Sequence, residues 1–193
     1  MTDRELVKKV LAGNSSSFKT VISNTQGLVI QITYKMIRNA EDRKDILQEV
    51  YLKVYDKLAG FKFNSKLSTW IGTITYNTCL NFLEKKKIPV LNVVDDEGNE
   101  SWETIVSNDT SFDNNNTESD LFKKERSQIL EKEIDKLPPL YKTILTLYHQ
   151  KELSYKEIAV ITELPEGTLK NYLFRARKQL KENLLHNYKK EEL

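Results

Sequence analysis

The stretch Leu153-Ser-Tyr-Lys-Glu-Ile-Ala-Val-Ile-Thr-Glu-Leu-Pro-Glu-Gly-Thr-Leu-Lys-Asn-Tyr-Leu-Phe-Arg-Ala-Arg177 decides the fold. Ser154 and Glu157 form a capping box that starts a short helix. Ile158 and Ile161 fall on its inner face, and Leu164 fills the turn behind it. Pro165 suits the first turn of a second helix, where its missing N–H costs nothing. Leu169, Leu173, Ala176, Leu180 and Leu184 then step by three and four, which predicts a helix to about His186. The pattern is a helix-turn-helix, the device that sets its second helix into the major groove of DNA. Glu166, Gly167, Thr168, Lys170, Asn171, Phe174, Arg175 and Lys178 lie at or near the face opposite the apolar stripe. Thr and Asn hydrogen-bond base edges, whereas Lys and Arg grip phosphates and set the register. An amphipathic hairpin with a solvated charged face is the plainer alternative.

Outward from this segment the charge is segregated. The 193 residues carry 30 Lys and Arg against 28 Asp and Glu. Nine of the acids fall between Ile88 and Phe122, where there is no Lys or Arg. The flanks therefore hold 30 cations against 19 anions, a net +11 that implies an anionic partner such as nucleic acid. Cys79 is alone, which excludes a disulfide framework and a cysteine metal cluster. No signal stretch or long apolar run appears, so a soluble, cytoplasmic protein without membrane insertion is expected. His149 and His186 stand apart and no Gly-rich phosphate loop occurs, so neither an enzyme, a cofactor nor a metal is expected.

The first half reads as helices throughout. Thr2 or Asp3 caps a helix through Leu11, and Phe18 to Ile37 continue at helical spacing with a break near Asn24–Gly27. From Asp42, the residues Ile46, Leu47, Val50, Tyr51, Val54 and Leu58 mark one buried face, closed by Ala59-Gly60. A loop, Phe61-Lys-Phe-Asn-Ser65, leads to a helix that ends at Lys85-Lys86-Lys87. Residues 89–117 lose the periodicity and gain Asn, Asp, Ser and Thr, the composition of a flexible linker. Helical spacing resumes at Leu121 and stops at Pro138-Pro139, before a helix from Leu140 to about Gln150. The expectation is all-α: two small helical domains, 1–88 and 119–193, joined by an acidic linker at 89–118.

Two further patterns carry chemistry. Asp45, Gln48, Glu49 and Leu52 share one strip of their helix, the look of a protein-docking surface, although a solvated face has the same look. Phe61, Phe63, Asn64, Ser65 and Lys66, followed at helical spacing by Trp70, Asn77, Asn81 and Lys85, supply rings, amides and cations. Single-stranded DNA is held by that combination, its bases against rings and its backbone against cations. For Trp70 and the phenylalanines a core role is the competing reading.

Asp45-Ile-Leu-Gln-Glu-Val-Tyr-Leu-Lys-Val-Tyr55, then Leu67-Ser-Thr-Trp-Ile71, then Asn77 with Asn81-Phe-Leu83, resembles the second conserved region of bacterial RNA polymerase sigma factors. Leu137-Pro-Pro, with the capping box and Glu166-Gly-Thr-Leu-Lys170 through Arg177, resembles their fourth. A chain with only these two regions is similar to the extracytoplasmic-function (ECF) group. The resemblance implies that Asp45, Gln48, Glu49 and Leu52 dock on the clamp helices of the polymerase largest subunit. It implies that the Phe61–Ser65 loop captures a base flipped from the −10 promoter element, with Lys66, Trp70, Asn77, Asn81 and Lys85 along the separating strands. Residues 165–178 would read the −35 element, and the C-terminal domain would meet the flap of the second-largest subunit. An anti-sigma factor, membrane-anchored or free, is the further partner it implies. A conventional helix-turn-helix regulator acting on duplex DNA without polymerase is the alternative.

The chain departs from the family pattern where Thr73, Tyr76 and Glu84 replace common arginines, and where Glu163 replaces a common turn glycine. That last change requires Glu163 to tolerate or avoid a left-handed backbone. The linker acids, with Trp102, Ile105 and Val106, read either as a nucleic-acid mimic in a polymerase channel or as a soluble spacer.

Overall fold

Local sequence sets each helix before packing selects among them. The computed structural model describes residues 1–90 and 120–188, which form eight α-helices. The linker residues Trp102, Ile105 and Val106 lie outside the described residues, as do the linker acids other than Asp120. Helix α1 spans Asp3–Leu11; Thr2 Oγ1 accepts the Glu5 N–H, and the Glu5 carboxylate accepts the Thr2 N–H at 2.9 Å. Helix α2 runs Ser15–Met36 from an Asn14 cap, and α3 runs Ala40–Lys57 from an Asn39 cap whose Oδ1 accepts two amides. A single 3₁₀ turn, Leu58–Gly60, ends it.

The break expected near Asn24–Gly27 does not occur, and α2 passes through it unbroken. Gly27 costs a helix only about 1 kcal/mol relative to Ala. Against that, Val21 and Val29 are fully buried on either side, and Thr25 is tied in: its hydroxyl donates to the Val21 carbonyl at 2.7 Å. Packing outweighs propensity here.

Helix α4, Leu67–Lys85, completes the first half. Beyond the linker come α5 (Asp120–Lys136), α6 (Pro139–His149), α7 (Tyr155–Thr162) and α8 (Glu166–Asn187). Pro139 opens α6 at its first position, as a residue without an N–H should. Every residue from Leu140 to Leu147 is buried, because α6 lies with α2 on one side and α7 and α8 on the other.

The two halves pack directly on each other. Helix α4 lies against α7, α2 lies against α6, and the buried apolar side chains of both halves form one continuous core. At the centre of the seam Ile161, fully buried, enters the notch left by Gly72. A Cβ at residue 72 would stand 2.9 Å from Ile161 Cγ1 and 3.4 Å from Leu28 Cδ2. Around this contact, Gln31 donates to Gln150 at 2.6 Å, and Lys35 bonds Glu131 and Asp135, the latter at 2.8 Å. Burial works against the Lys35 ammonium, but Asp135 and Glu131 outweigh it and hold its pKa above the ordinary value.

Gly72→Ala pits a helix-propensity gain of about 1 kcal/mol against an overpacking cost of about 1–3 kcal/mol, so urea melts should show net destabilisation. The double variant with Ile161→Ala should be less destabilised than the sum of the single variants, since the crowded atoms are gone.

Cys79 is fully buried, and burial pushes its thiol up to about 12. Thiol reagents at mildly alkaline pH should therefore label it only after unfolding. The folded thiol holds its proton more tightly than the unfolded one, with its value of 9.0. Its contribution to stability is whole below that value and fades as pH rises toward about 12. Above pH 9.0 the urea midpoint should fall less steeply for Cys79→Ala than for the parent chain.

Candidate nucleic-acid interface

The Phe61–Ser65 loop is built on a ring ladder. Phe61 is buried, with its ring centroid 4.6 Å from Phe63 and 5.0 Å from Trp70. Phe63 is half-buried and sits at φ 58, a left-handed conformation uncommon for a bulky residue. Strain of that kind persists only where surrounding contacts impose it. Asn64 is exposed, and Ser65 donates to the Lys66 carbonyl at 3.3 Å. Trp70 combines its two readings: one part packs on Phe61, and the rest is accessible.

Sequence reasoning missed two contributors to this loop. The Asp3 carboxylate accepts the Leu67 N–H at 2.8 Å, satisfying an amide at the start of α4, where Lys66 gives no side-chain cap. The Arg4 guanidinium stands 5.1 Å from the Phe63 ring centroid. No local pattern announces either, because α1 reaches the loop across some sixty positions.

Along α4 the amide-bearing face is covered by the second half. Asn77 Nδ2 donates to Glu163 at 2.9 Å, Thr73 Oγ1 donates to the Val160 carbonyl at 3.1 Å, and Lys66 pairs with Glu157 at 2.8 Å. Asn81 and Lys85, past the seam, are exposed. Of the departures from the common arginine pattern, Thr73 thus serves the seam, and Tyr76 is buried core with its hydroxyl pushed up to about 12 by burial. Glu84 is exposed. Glu163 does adopt the left-handed backbone, φ 57 and ψ 24, ending α7 as glycine would.

In the helix-turn-helix, α7 starts at the Ser154 cap with both capping-box bonds made. On α8, Glu166, Gly167, Lys170, Asn171 and Lys178 are exposed, while Thr168, Phe174 and Arg175 are half-buried. Arg175 turns toward the Tyr141 hydroxyl of α6, so its guanidinium is partly engaged within the domain. Arg177, absent from the predicted contact set, lies 5.3 Å from the Tyr148 ring and donates through Nε to His149 Nε2 at 3.4 Å. Its place two turns beyond Lys170 was the available signal. Burial first, then the Arg177 charge, holds His149 below its ordinary pKa, which suits an acceptor.

On α3, Asp45, Gln48, Glu49 and Leu52 are all exposed, Leu52 at 60%. Glu49 pairs with Lys53 at 2.6 Å. Behind the strip, Ile46, Val50 and Val54 are buried, so the strip stands on a rigid helix. Among the described residues no acid, His and Cys cluster could hold a metal, and no helix is long and apolar enough to cross a membrane.

A helix-turn-helix half and a helical half bearing a ring-lined loop define a class of DNA-directed protein, and comparison specifies it. Residues 21–88 match the family model for sigma-70 region 2, and residues 127–180 match that for sigma-70 region 4. The chain is 30% identical over 181 residues to the ECF RNA polymerase sigma-E factor of Escherichia coli K12, covering 93% of each. It is 29% identical over 187 residues to the ECF RNA polymerase sigma factor SigW of Bacillus subtilis, covering 95% of this chain and 97% of that protein. Its fold is similar to that of CnrH in complex with the cytosolic domain of CnrY, with TM-score 0.65 and 15% identity over 96% of this chain and 99% of the other. It is also similar to the sigma factor RpoE of Bartonella quintana in complex with the anti-sigma factor NepR, with TM-score 0.60 and 18% identity over 89% and 98%. The chain belongs to the sigma-70 family of RNA polymerase sigma factors, in its ECF group.

Glu157 joins cap and seam. Lys66 first, then Ser154, hold its carboxyl down at about 2, against 4.5 when unperturbed. Its folded pKa is depressed, so its stabilising effect is present above 4.5 and is lost as pH falls toward about 2. A Glu157 carbon-13 titration should give that depressed midpoint, and Lys66→Ala should move it upward.

Proposed function

We propose that this sigma factor works as a two-handed promoter clamp whose parts are the residues described above. Residues 1–88 form the domain that docks on polymerase and opens the −10 element, residues 89–118 the tether, and residues 119–193 the domain that reads the −35 element. Asp45, Gln48, Glu49 and Leu52 meet the clamp helices of the largest subunit, and the C-terminal domain meets the flap of the second-largest. Lys170, Asn171 and their neighbours on α8 enter the major groove. Phe63, Asn64 and Ser65 hold one unstacked base, with Trp70 beside them and the buried Phe61 ring packed behind. Unstacking costs a few kcal/mol, and a pocket that only the flipped base can fill offsets it. Melting is then driven by binding, and the protein is not itself an enzyme.

The observation that carries this reading is the ring ladder in its strained loop, placed at the head of the helix whose amides continue the same face. The seam adds a step. The −35 and −10 elements lie about 25 base pairs apart, or about 85 Å at about 3.4 Å per pair. Halves in side-chain contact do not span that distance, and Asn77 and Lys66 are occupied by Glu163 and Glu157. The 29 residues between the described segments carry about 100 Å of extended chain, enough to bridge it. The packed arrangement is therefore the off-promoter state, and polymerase and promoter draw the halves apart.

CnrH is seen in complex with the cytosolic domain of CnrY, and the Bartonella RpoE in complex with the anti-sigma factor NepR. This chain, acting in the cytoplasm, is proposed to be held by an anti-sigma factor of its own, membrane-anchored or free.

Replacing Phe61–Ser65 by Gly and Ser should leave polymerase binding intact and abolish open-complex formation, read by permanganate reactivity of promoter thymines. Normal melting would remove the loop assignment. Tight duplex binding by the chain alone, unchanged on adding core polymerase, would favour a conventional regulator instead.

A further inference from the structure

We propose that Arg4 is a nucleic-acid contact of the −10 loop, binding the phosphate beside the captured base. The proposal rests on the reading of Phe61–Ser65 as a base-capture loop, and it adds a residue from outside both matched regions.

Three observations converge on Arg4. First, its guanidinium lies over the half-buried Phe63 ring at 5.1 Å, at the open end of the Phe63–Phe61–Trp70 ladder. Second, the neighbouring Asp3 is fastened to the Leu67 amide, and Leu6, Val7 and Val10 are buried, so α1 is fixed against the loop. Arg4 is thus held near the ring by the fold and not by chance contact of a free terminus. Third, Arg4 is exposed, and among the described residues no carboxylate pairs with it. Of the two lysines at the loop, Lys66 is already paired with Glu157, and Lys62 is exposed within the loop beside Phe63.

The chemistry follows from this placement. A base stacked on or beside Phe63 brings its flanking phosphate to the edge of the ring, where a guanidinium offers a planar fork of donors. The same group retains its attraction to the ring face. An arginine here supplies together the stacking platform and the backbone grip that single-strand binding needs.

The test uses holoenzyme assembled from bacterial core RNA polymerase and the full chain. The probe is a short fluorescein-labelled single strand, selected from a randomised pool by the parent holoenzyme. Affinity is read by anisotropy across a salt series. Arg4→Ala should weaken binding about tenfold or more, the range of a charged hydrogen bond. It should also lower the slope of log affinity against log salt by about 0.7, the signature of one lost single-strand phosphate contact. Arg4→Lys should keep the slope while losing part of the affinity. Lys8→Ala, an exposed cation on the same helix, should change neither.

Unchanged affinity and slope in Arg4→Ala, with Phe63→Ala clearly weakened, would overturn the proposal while sparing the loop. Weaker binding without a change in slope would also overturn it, leaving Arg4 a packing residue. If the Gly-Ser loop variant binds the strand as well as the parent, the reading of the loop itself fails.

Discussion

Ile161 seated against Gly72 is the contact on which the arrangement of this chain depends. Among the polar links around it, the Lys66–Glu157 pair is weak, because Lys66 is 72% exposed and solvent screens it. A fully buried Ile contributes about 1.5–3 kcal/mol, and it can be buried here only because residue 72 has no Cβ. The apolar contact thus supplies the attraction, while Asn77–Glu163 and Thr73–Val160 fix the register.

Much of this was legible in the sequence. Helix periodicity located α3, α4 and α8, the capping box located α7, and the prolines separated α5 from α6. These signals are local, and local chemistry satisfies them. The break proposed near Asn24–Gly27 is absent because buried valines and Thr25 on α2 override one glycine. Asn39 caps α3, its side chain accepting the amides of Glu41 and Asp42.

The seam was not legible, for a physical reason. Its pairs, such as Lys66 with Glu157 and Asn77 with Glu163, join residues more than eighty positions apart. Glu157 announced itself only as a cap, and Gly72 only as a poor helix former. Arg4 and Asp3 escaped for the same reason, since their partners belong to a loop on the far side of two helices. The polar set on α8 was readable as a face, but the turning of Arg175 toward Tyr141 depends on α6.

The central claim is that the second half of this sigma factor covers Lys66 and Asn77 of the first until polymerase separates the halves. Cys79 is buried, so cysteines introduced at exposed Lys57 and Lys181 can carry spin labels alone. Pulsed electron paramagnetic resonance would give their separation in the free chain and in the complex with core polymerase and promoter. A single short distance in the free chain that lengthens by tens of ångströms in the complex is the result expected. The same short distance in a complex that initiates transcription would contradict the account.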